Sequence, residues 1–249
     1  MRHVIGNWKM NGGEALLREF ASGLPGECPW PDVRLGLAVP APLLGAAVRM
    51  LPDWVRVGAQ NVHWEEAGAF TGEISPALLR EVGCRFAIAG HSERRALFGE
   101  DDAAAVRRLS GALRSGLTGI LCVGESRRER EAGRAEDVVE RQLRGLADAG
   151  EPLDLETGAE ALIAYEPVWA IGSGEAARPD QIAAMHEHIG RLSLRFFGTV
   201  LPVLYGGSVS GDNAAEIFAL NSAAGALVGS ASLDVRGLIN IASEASRIA

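Results

Sequence analysis

Ala164-Tyr165-Glu166-Pro167-Val168-Trp169-Ala170-Ile171-Gly172-Ser173-Gly174 is the stretch whose reading decides the fold. It completes an apolar run begun at Ala161 that reads as a buried strand. The run ends on a carboxylate, and Pro167 stops regular pairing. A carboxylate just past a buried strand can be held in a semi-apolar mouth, where its pKa is set for proton abstraction. Trp169 and Ile171 are too apolar to lie idle in water, and Gly172 and Gly174 can act as pivots. The segment therefore reads as a closing lid. A plain strand-to-helix connection with a surface Glu is the alternative.

Working outward, the same kind of run recurs. Apolar segments fall at residues 4–10, 35–39, 55–59, 86–89, 119–123, 162–165, 202–205 and 225–228. Most are continuous and do not alternate, which is the pattern of strands buried on both faces of a parallel sheet. Helical patterns lie between them at 14–22, 42–50, 103–114, 135–149, 180–197, 211–220 and 235–248. One more opens at Ser75-Pro76, in the favoured cap-then-proline order, and closes at Gly83. Eight strand-then-helix units in 249 residues predict a closed (β/α) eight-fold barrel, one domain over 1–249. A doubly wound sheet is the alternative, but no GxGxxG follows the first strand.

Composition narrows the function classes. Apolar residues make up 47% and there are 31 glycines, enough for a large core with many tight turns. A net charge of −8 argues against a nucleic-acid surface, yet leaves room for a locally positive site that takes a small anion. Cys28, Cys84 and Cys122 are an odd number without metal or CxxC spacing. They point to a reducing compartment, hence a cytoplasmic location, and to no metal. Neither a secretion leader nor a membrane span is expected.

In such a barrel the site gathers at the carboxyl ends of the strands. Those ends carry Asn7 and Lys9, His91 and Glu93, Glu166, then Gly206-Gly207-Ser208 and Gly229-Ser230. The set comprises a base, a histidine, a cation and two turns of small residues whose backbone N–H groups a phosphate can reach. Each alone has a plainer reading: a solvated lysine, a structurally satisfied histidine, glycines that merely make turns. The connection 60–74 is long for one without an element of its own. It carries Val62, Trp64 and Phe70, apolar groups that suggest a protein interface.

With those residues in view, the chain resembles the triosephosphate isomerase family. Asn7-Trp8-Lys9-Met10-Asn11, Ala89 to Arg95, Ala164 to Gly174, Tyr205 to Val209 and Gly225 to Gly229 carry the likeness, in order, from first strand to last. The loop from Gly58-Ala59-Gln60-Asn61 to Gly68-Ala69-Phe70-Thr71-Gly72-Glu73 resembles that family's dimer loop. The resemblance implies roles. Glu166 would move a proton between neighbouring substrate carbons, and His91 would polarise the carbonyl and shuttle protons between the two oxygens. Lys9 would stabilise enediolate charge and bind the anion, Asn7 would orient groups near the oxygens, and Glu93 would bond near Lys9. Gly172, Ser208, Gly229 and Ser230 would hold phosphate. Thr71 would reach a twin subunit's site, and Tyr205 would meet the lid's far hinge near Ala177. No cofactor is implied. The activity implied interconverts dihydroxyacetone phosphate and glyceraldehyde 3-phosphate. An isomerase of a four-carbon ketose phosphate and a catalytically idle phosphate-binding barrel are the alternatives. The chain departs from the family's usual pattern at Ser173-Gly174-Glu175, Arg178, Ala224 and Ser230.

Overall fold

The computed structural model describes residues 1–148, 159–171 and 176–248. Eight strands form a closed, all-parallel barrel in chain order. They are β1 Arg2–Asn7, β2 Val33–Val39, β3 Arg56–Ala59, β4 Phe86–Ala89, β5 Thr118–Val123, β6 Ala161–Tyr165, β7 Val203–Tyr205 and β8 Gly225–Val228. Ten α-helices are described around them: α1 Glu14–Gly23, α2 Leu44–Met50, α3 Pro76–Val82, α4 Ser92–Phe98, α5 Asp102–Arg114, α6 Arg127–Glu131, α7 Ala135–Asp148, α8 Pro179–Phe197, α9 Ala214–Phe218 and α10 Val235–Arg247. Among the described residues no helix is long and apolar enough to cross a membrane.

Two apolar layers explain the continuous strand pattern. One face of each strand meets the helices, and the other fills the barrel with residues such as Ile5, Phe86, Ile120 and Leu227. Phe86 is the bulkiest inner group, and neighbouring strands yield to it. A Cβ on Gly58 would lie 2.4 Å from its ring and one on Gly36 2.9 Å. Ala224, one of the departures, packs against this inner layer.

Strand alternation then aims the site. Ile5, Ala164, Leu204 and Leu227 point into the barrel. Two residues on, the same face brings Asn7, Glu166, Gly206 and Gly229 to its carboxyl end, where all four border one cavity.

Helix starts follow ordinary capping chemistry. The Ser75 side chain accepts from Leu78 N with Pro76 in the first turn, and Gly83 ends α3 at φ 105°. Asp101 caps α5 through Ala104 N at 2.7 Å. Arg178 cannot accept a bond as a cap; instead Gln181 Oε1 reaches back to the Arg178 N–H at 3.0 Å, and the guanidinium turns to Asp180. Two short helices, α4 and α6, had no counterpart in the sequence reading. The second announces itself in retrospect: Ser126 and Glu129 form a reciprocal capping box.

The 60–74 connection has neither strand nor helix. One expectation is corrected there. Val62 is 1% exposed and belongs to the protein's own core, so it offers nothing to a partner. Trp64 stacks on His63 and lies under Arg107, while Phe70 is 43% exposed.

Candidate active site

Asn7, Lys9, His91, Glu166, Gly206, Ser208, Gly229 and Ser230 line one cavity of about 600 Å³ at the carboxyl end of the barrel. Glu93 stands beside it on Lys9. Thr71 lies on the exposed loop, apart from this cavity. Gly172 lies outside the described residues.

Glu166 is 2% exposed. Its backbone N–H donates to Val123 O at 2.7 Å, fixing the turn off β6 against β5. Neighbouring glycines give it room. A Cβ on Gly124 would meet Glu166 O, and one on Gly206 would lie 3.0 Å from Glu166 Cγ. Oε2 accepts from the Ser92 N–H at 2.8 Å, and Oε1 lies 3.0 Å from His91 Nε2. Burial raises the carboxyl pKa, but His91 and the Ser92 donors lower it further, so the group stays ionised below its ordinary range.

His91 sits at the N-terminal boundary of α4, with Gly90 before it at φ 67°. That left-handed glycine turns the chain out of β4 and presses on Ala105, where a Cβ would come within 2.6 Å. Nδ1 accepts from the Glu93 N–H at 3.3 Å. A backbone amide only donates, so Nδ1 presents its lone pair and the proton belongs on Nε2. Burial pushes the imidazole pKa down; the adjacent Glu166 carboxylate, then Glu93, push it up and prevail. That rise depends on Glu166 resting against the ring, and withdraws if the carboxylate moves away.

Lys9 is held in an unfavourable conformation. At φ 51° it is the one non-glycine residue with positive φ among those described. Side chains on both sides of its peptide fix it there. Asn7 Oδ1 accepts from Lys9 N at 3.0 Å, and Gln60 Nε2 donates to Lys9 O at 2.7 Å. Its Nζ meets Glu93 Oε1 at 2.7 Å. Strain retained under such constraint is characteristic of functional positions. The sequence reading placed Gln60 in the long loop but gave it no part in aiming Lys9.

The far wall consists of backbone. Ser230–Leu233 forms one turn of 3₁₀ helix capped by Gly229, and the Trp8 indole pins it through Ser232 O at 2.9 Å. Gly229 leaves open space, its nearest neighbour being Lys9 Cε at 3.8 Å from a built Cβ. Ser208 Oγ donates to Ala170 O at 3.1 Å, tying this wall to the segment after Glu166.

The start of that segment is anchored by a buried carboxylate the sequence reading passed over. Glu125 Oε1 accepts from the Trp169 indole at 2.7 Å, from Arg130 at 2.9 Å and from Tyr165 OH at 3.2 Å. Arg130 also stacks over the Trp169 ring at 4.5 Å. At the other end, the Tyr205 hydroxyl is buried without a hydrogen bond of regular geometry among the described residues. Burial pushes its phenol up to about 12, and the nearby Ala177 N–H only tempers the rise.

A carboxylate, an imidazole, a lysine and turns of small residues thus border one small cavity. That set can move a proton beside a carbonyl while holding an anionic group. Known proteins resemble the chain along its length. The family model described as Triosephosphate isomerase matches residues 2–245. The triosephosphate isomerase of Halorhodospira halophila is 46% identical over 242 residues, covering 96% of this chain and 95% of that protein. That of Alcanivorax borkumensis is 45% identical over 241 residues, covering 96% of each. That of Alkalilimnicola ehrlichii is 43% identical over 249 residues, covering 97% of each. With matches of that extent joined to this geometry, the chain belongs to the triosephosphate isomerase family.

Proposed function

We propose that the protein is a cytoplasmic aldose–ketose isomerase, one domain over 1–249, that interconverts dihydroxyacetone phosphate and glyceraldehyde 3-phosphate. The observation that carries this is the 3.0 Å approach of Glu166 Oε1 to His91 Nε2 inside a cavity that also holds Lys9 and the amides of Gly229 and Ser230. The Glu166 carboxylate takes a proton from the carbon beside the carbonyl. His91 Nε2–H donates to the carbonyl oxygen, and the electron pair from the broken C–H bond spreads into an enediol(ate). His91, having given its proton to the carbonyl oxygen, takes the proton of the neighbouring hydroxyl, and Glu166 returns its proton to the former carbonyl carbon, which completes the isomerisation. Lys9 Nζ stabilises the oxygen charge and the phosphate, Asn7 orients the oxygens through the Lys9 turn, and Glu93 keeps the ammonium in place. Phosphate rests on the backbone of Gly172, Ser208, Gly229 and Ser230. Three free thiols fit a reducing cellular interior.

The homodimer is part of the same proposal. A second cavity of about 380 Å³ lies on the other side of Lys9, between Gln60, Glu93 and the exposed Met10 and Phe98. Met10 is 96% exposed and Phe98 68%, beside an exposed Leu97. Apolar groups so presented fit the 60–74 loop of a twin, with its Phe70 and Thr71 at the tip. Lys9 borders both cavities, which would couple assembly to activity.

Steady-state kinetics on both triose phosphates test the chemistry. Turnover should be fast in the natural chain, and Lys9→Met should lose roughly 100- to 1,000-fold in kcat with an unchanged circular dichroism spectrum. A change in KM alone would reduce Lys9 to a binding group. Sedimentation tests the assembly: the natural chain should run as a dimer and Phe98→Glu as a poorly active monomer. A fully active natural monomer would overturn that part.

A further inference from the structure

Behind Ser208, the cavity wall is one turn folded around a single amide. Asn213 stands just before α9, half-buried, and lines the cavity together with Ser208, Val209 and Ser210. Its Nδ2 donates to Ser208 O at 3.0 Å, and its Oδ1 accepts from Ser210 N at 2.8 Å. One planar side chain thus takes both peptide groups that flank Val209, whose own side chain is buried in the core. Ser208 is held a second time by its hydroxyl on Ala170 O. Gly207, before it, has no room for a side chain, because a Cβ would strike the Tyr205 hydroxyl. What these contacts leave free is the Ser208 N–H, which meets no acceptor among the described residues.

Capping explains half of this arrangement. The Ser210 hydroxyl accepts from Asp212 N at 3.3 Å and Ser210 O accepts from Ala214 N at 3.1 Å, so Ser210 opens the turn into α9. An acceptor three residues on, reaching back to the Ser210 N–H, completes a capping box. Aspartate supplies such an acceptor and adds a negative charge favoured near a helix start. The cap therefore has no use for the amide nitrogen of Asn213. A carboxylate in its place would face the Ser208 carbonyl with nothing to donate. The nitrogen is what ties the cap to Ser208.

We propose that Asn213 is a positioning residue for the substrate's anionic group: it clamps the peptides on either side of Val209, so that the Ser208 N–H is fixed towards the phosphate before substrate arrives. The inference rests on the reading of Ser208 as a phosphate-binding residue. Asn213 acts through Ser208 and not on the reacting carbons. A donor fixed in advance spares the ligand the cost of ordering it, and a turn freed of its clamp restores that cost. Loss of Asn213 therefore weakens every ligand that carries a phosphate and spares those that do not.

The test compares phosphorylated and bare ligands. Steady-state kinetics are run with dihydroxyacetone phosphate and with glyceraldehyde, which lacks the phosphate, and inorganic phosphate is titrated as a competitive inhibitor. Asn213→Ala should raise KM for dihydroxyacetone phosphate and the inhibition constant of inorganic phosphate, each on the order of tenfold. Its kcat should stay within about threefold of the natural value, and kcat/KM for glyceraldehyde should not change. Asn213→Ser keeps a neutral acceptor for the Ser210 N–H but is too short to serve both peptides. It should show the same pattern, and serves if the alanine disturbs folding. Ser210→Ala removes the hydroxyl of the cap and leaves the clamp, so it should lower the urea midpoint and leave phosphate inhibition as in the natural chain. Unchanged phosphate inhibition in Asn213→Ala, an equal loss on glyceraldehyde, or an equal loss in Ser210→Ala overturns the clamp. A natural chain that neither isomerises dihydroxyacetone phosphate nor is inhibited by inorganic phosphate would instead sink the proposed function, and the two failures are thereby distinct.

Discussion

Two histidine–glutamate pairs occupy opposite ends of the same barrel, and they behave in opposite ways. At the carboxyl end, His91 Nε2 lies 3.0 Å from Glu166 and its pKa is raised. At the amino end, His3 Nε2 lies 3.6 Å from Glu160 and its pKa is lowered to about 4. Both histidines are buried, so desolvation lowers each. The difference lies in which charge is left over. At the amino end Arg34 takes Glu160 at 2.6 Å, and Arg34 and Arg56 both weigh against a charged His3. At the carboxyl end Glu93 takes Lys9 at 2.7 Å, which leaves Glu166 to act on His91. The same two residue types thus make an arginine-flanked contact at one end and, on the proposed reading, an acid–base pair facing a cavity at the other. Residue type proposes the chemistry; the pairing of the neighbours decides it.

The largest effect should separate the two glutamates. Glu166→Asp withdraws the carboxylate by about 1 Å and should lower kcat on the order of 100-fold with little change in KM. Glu160→Gln should leave both constants near their natural values and register only in stability. Near-normal turnover in the Glu166 variant, or a comparable kinetic loss in the Glu160 one, would break the distinction between the ends.

This distinction marks how far the sequence can be read. Strand ends were legible because continuous apolar runs and the carboxylate of Glu166 mark them, and β4 and β8 fall on 86–89 and 225–228 as expected. The cavity lining followed from strand alternation. Two kinds of feature were hidden. Short helices such as α4 have too few turns to display a period, and α4 is capped by a histidine, an unusual residue at that place. Contacts between distant residues were hidden as well. Ser92 N on Glu166, Gln60 on Lys9 O and Trp169 on Glu125 join positions 74, 51 and 44 residues apart. No local pattern signals them, because each depends on the barrel closing. Val62 misled for a related reason: an apolar residue in a polar loop reads alike whether it faces a partner or its own core.

The second prediction uses pH to sharpen the comparison. His3 has a folded pKa of about 4 against an ordinary 6.5, so between those values the unfolded chain binds the proton and the folded one does not. Stability therefore falls as pH drops through that window, by about 2 kcal/mol at pH 5 from this group. His186, also lowered to about 4 by burial, adds loss of the same sign. His91 works the other way: with its pKa raised, its contribution is present below 6.5 and fades as pH rises through the folded value. Urea midpoints at pH 7 and pH 5 should therefore draw closer together in His3→Gln and further apart in His91→Gln. Parallel behaviour of the two variants would mean that the two pairs do not differ as the neighbouring charges require.

The smallest effect concerns where the positive charge lies. The cavity has Lys9 as its cation among the described residues, whereas Arg34 and Arg56 stand at the other end of the barrel. On the proposed function, a phosphate at the carboxyl end would rest chiefly on neutral backbone donors, Gly229 and Ser230 among them. Ser230 departs from the glycine usual in the family, yet it keeps the N–H and opens a short 3₁₀ helix without positive φ. Its backbone therefore loses nothing by carrying a side chain, and the exposed hydroxyl adds at most one further donor. Ser230→Gly should shift KM only a few-fold, the measure of one modest hydrogen bond of about 1 kcal/mol. Ser230→Asp reverses the sign. A carboxylate set a few ångströms from a phosphate dianion repels it by several kcal/mol at an effective dielectric of about 20, and with one lysine in the cavity there is little positive charge to offset it. KM should rise steeply while kcat changes less. An unchanged KM in the aspartate variant would place the phosphate elsewhere and leave the backbone wall without its ligand.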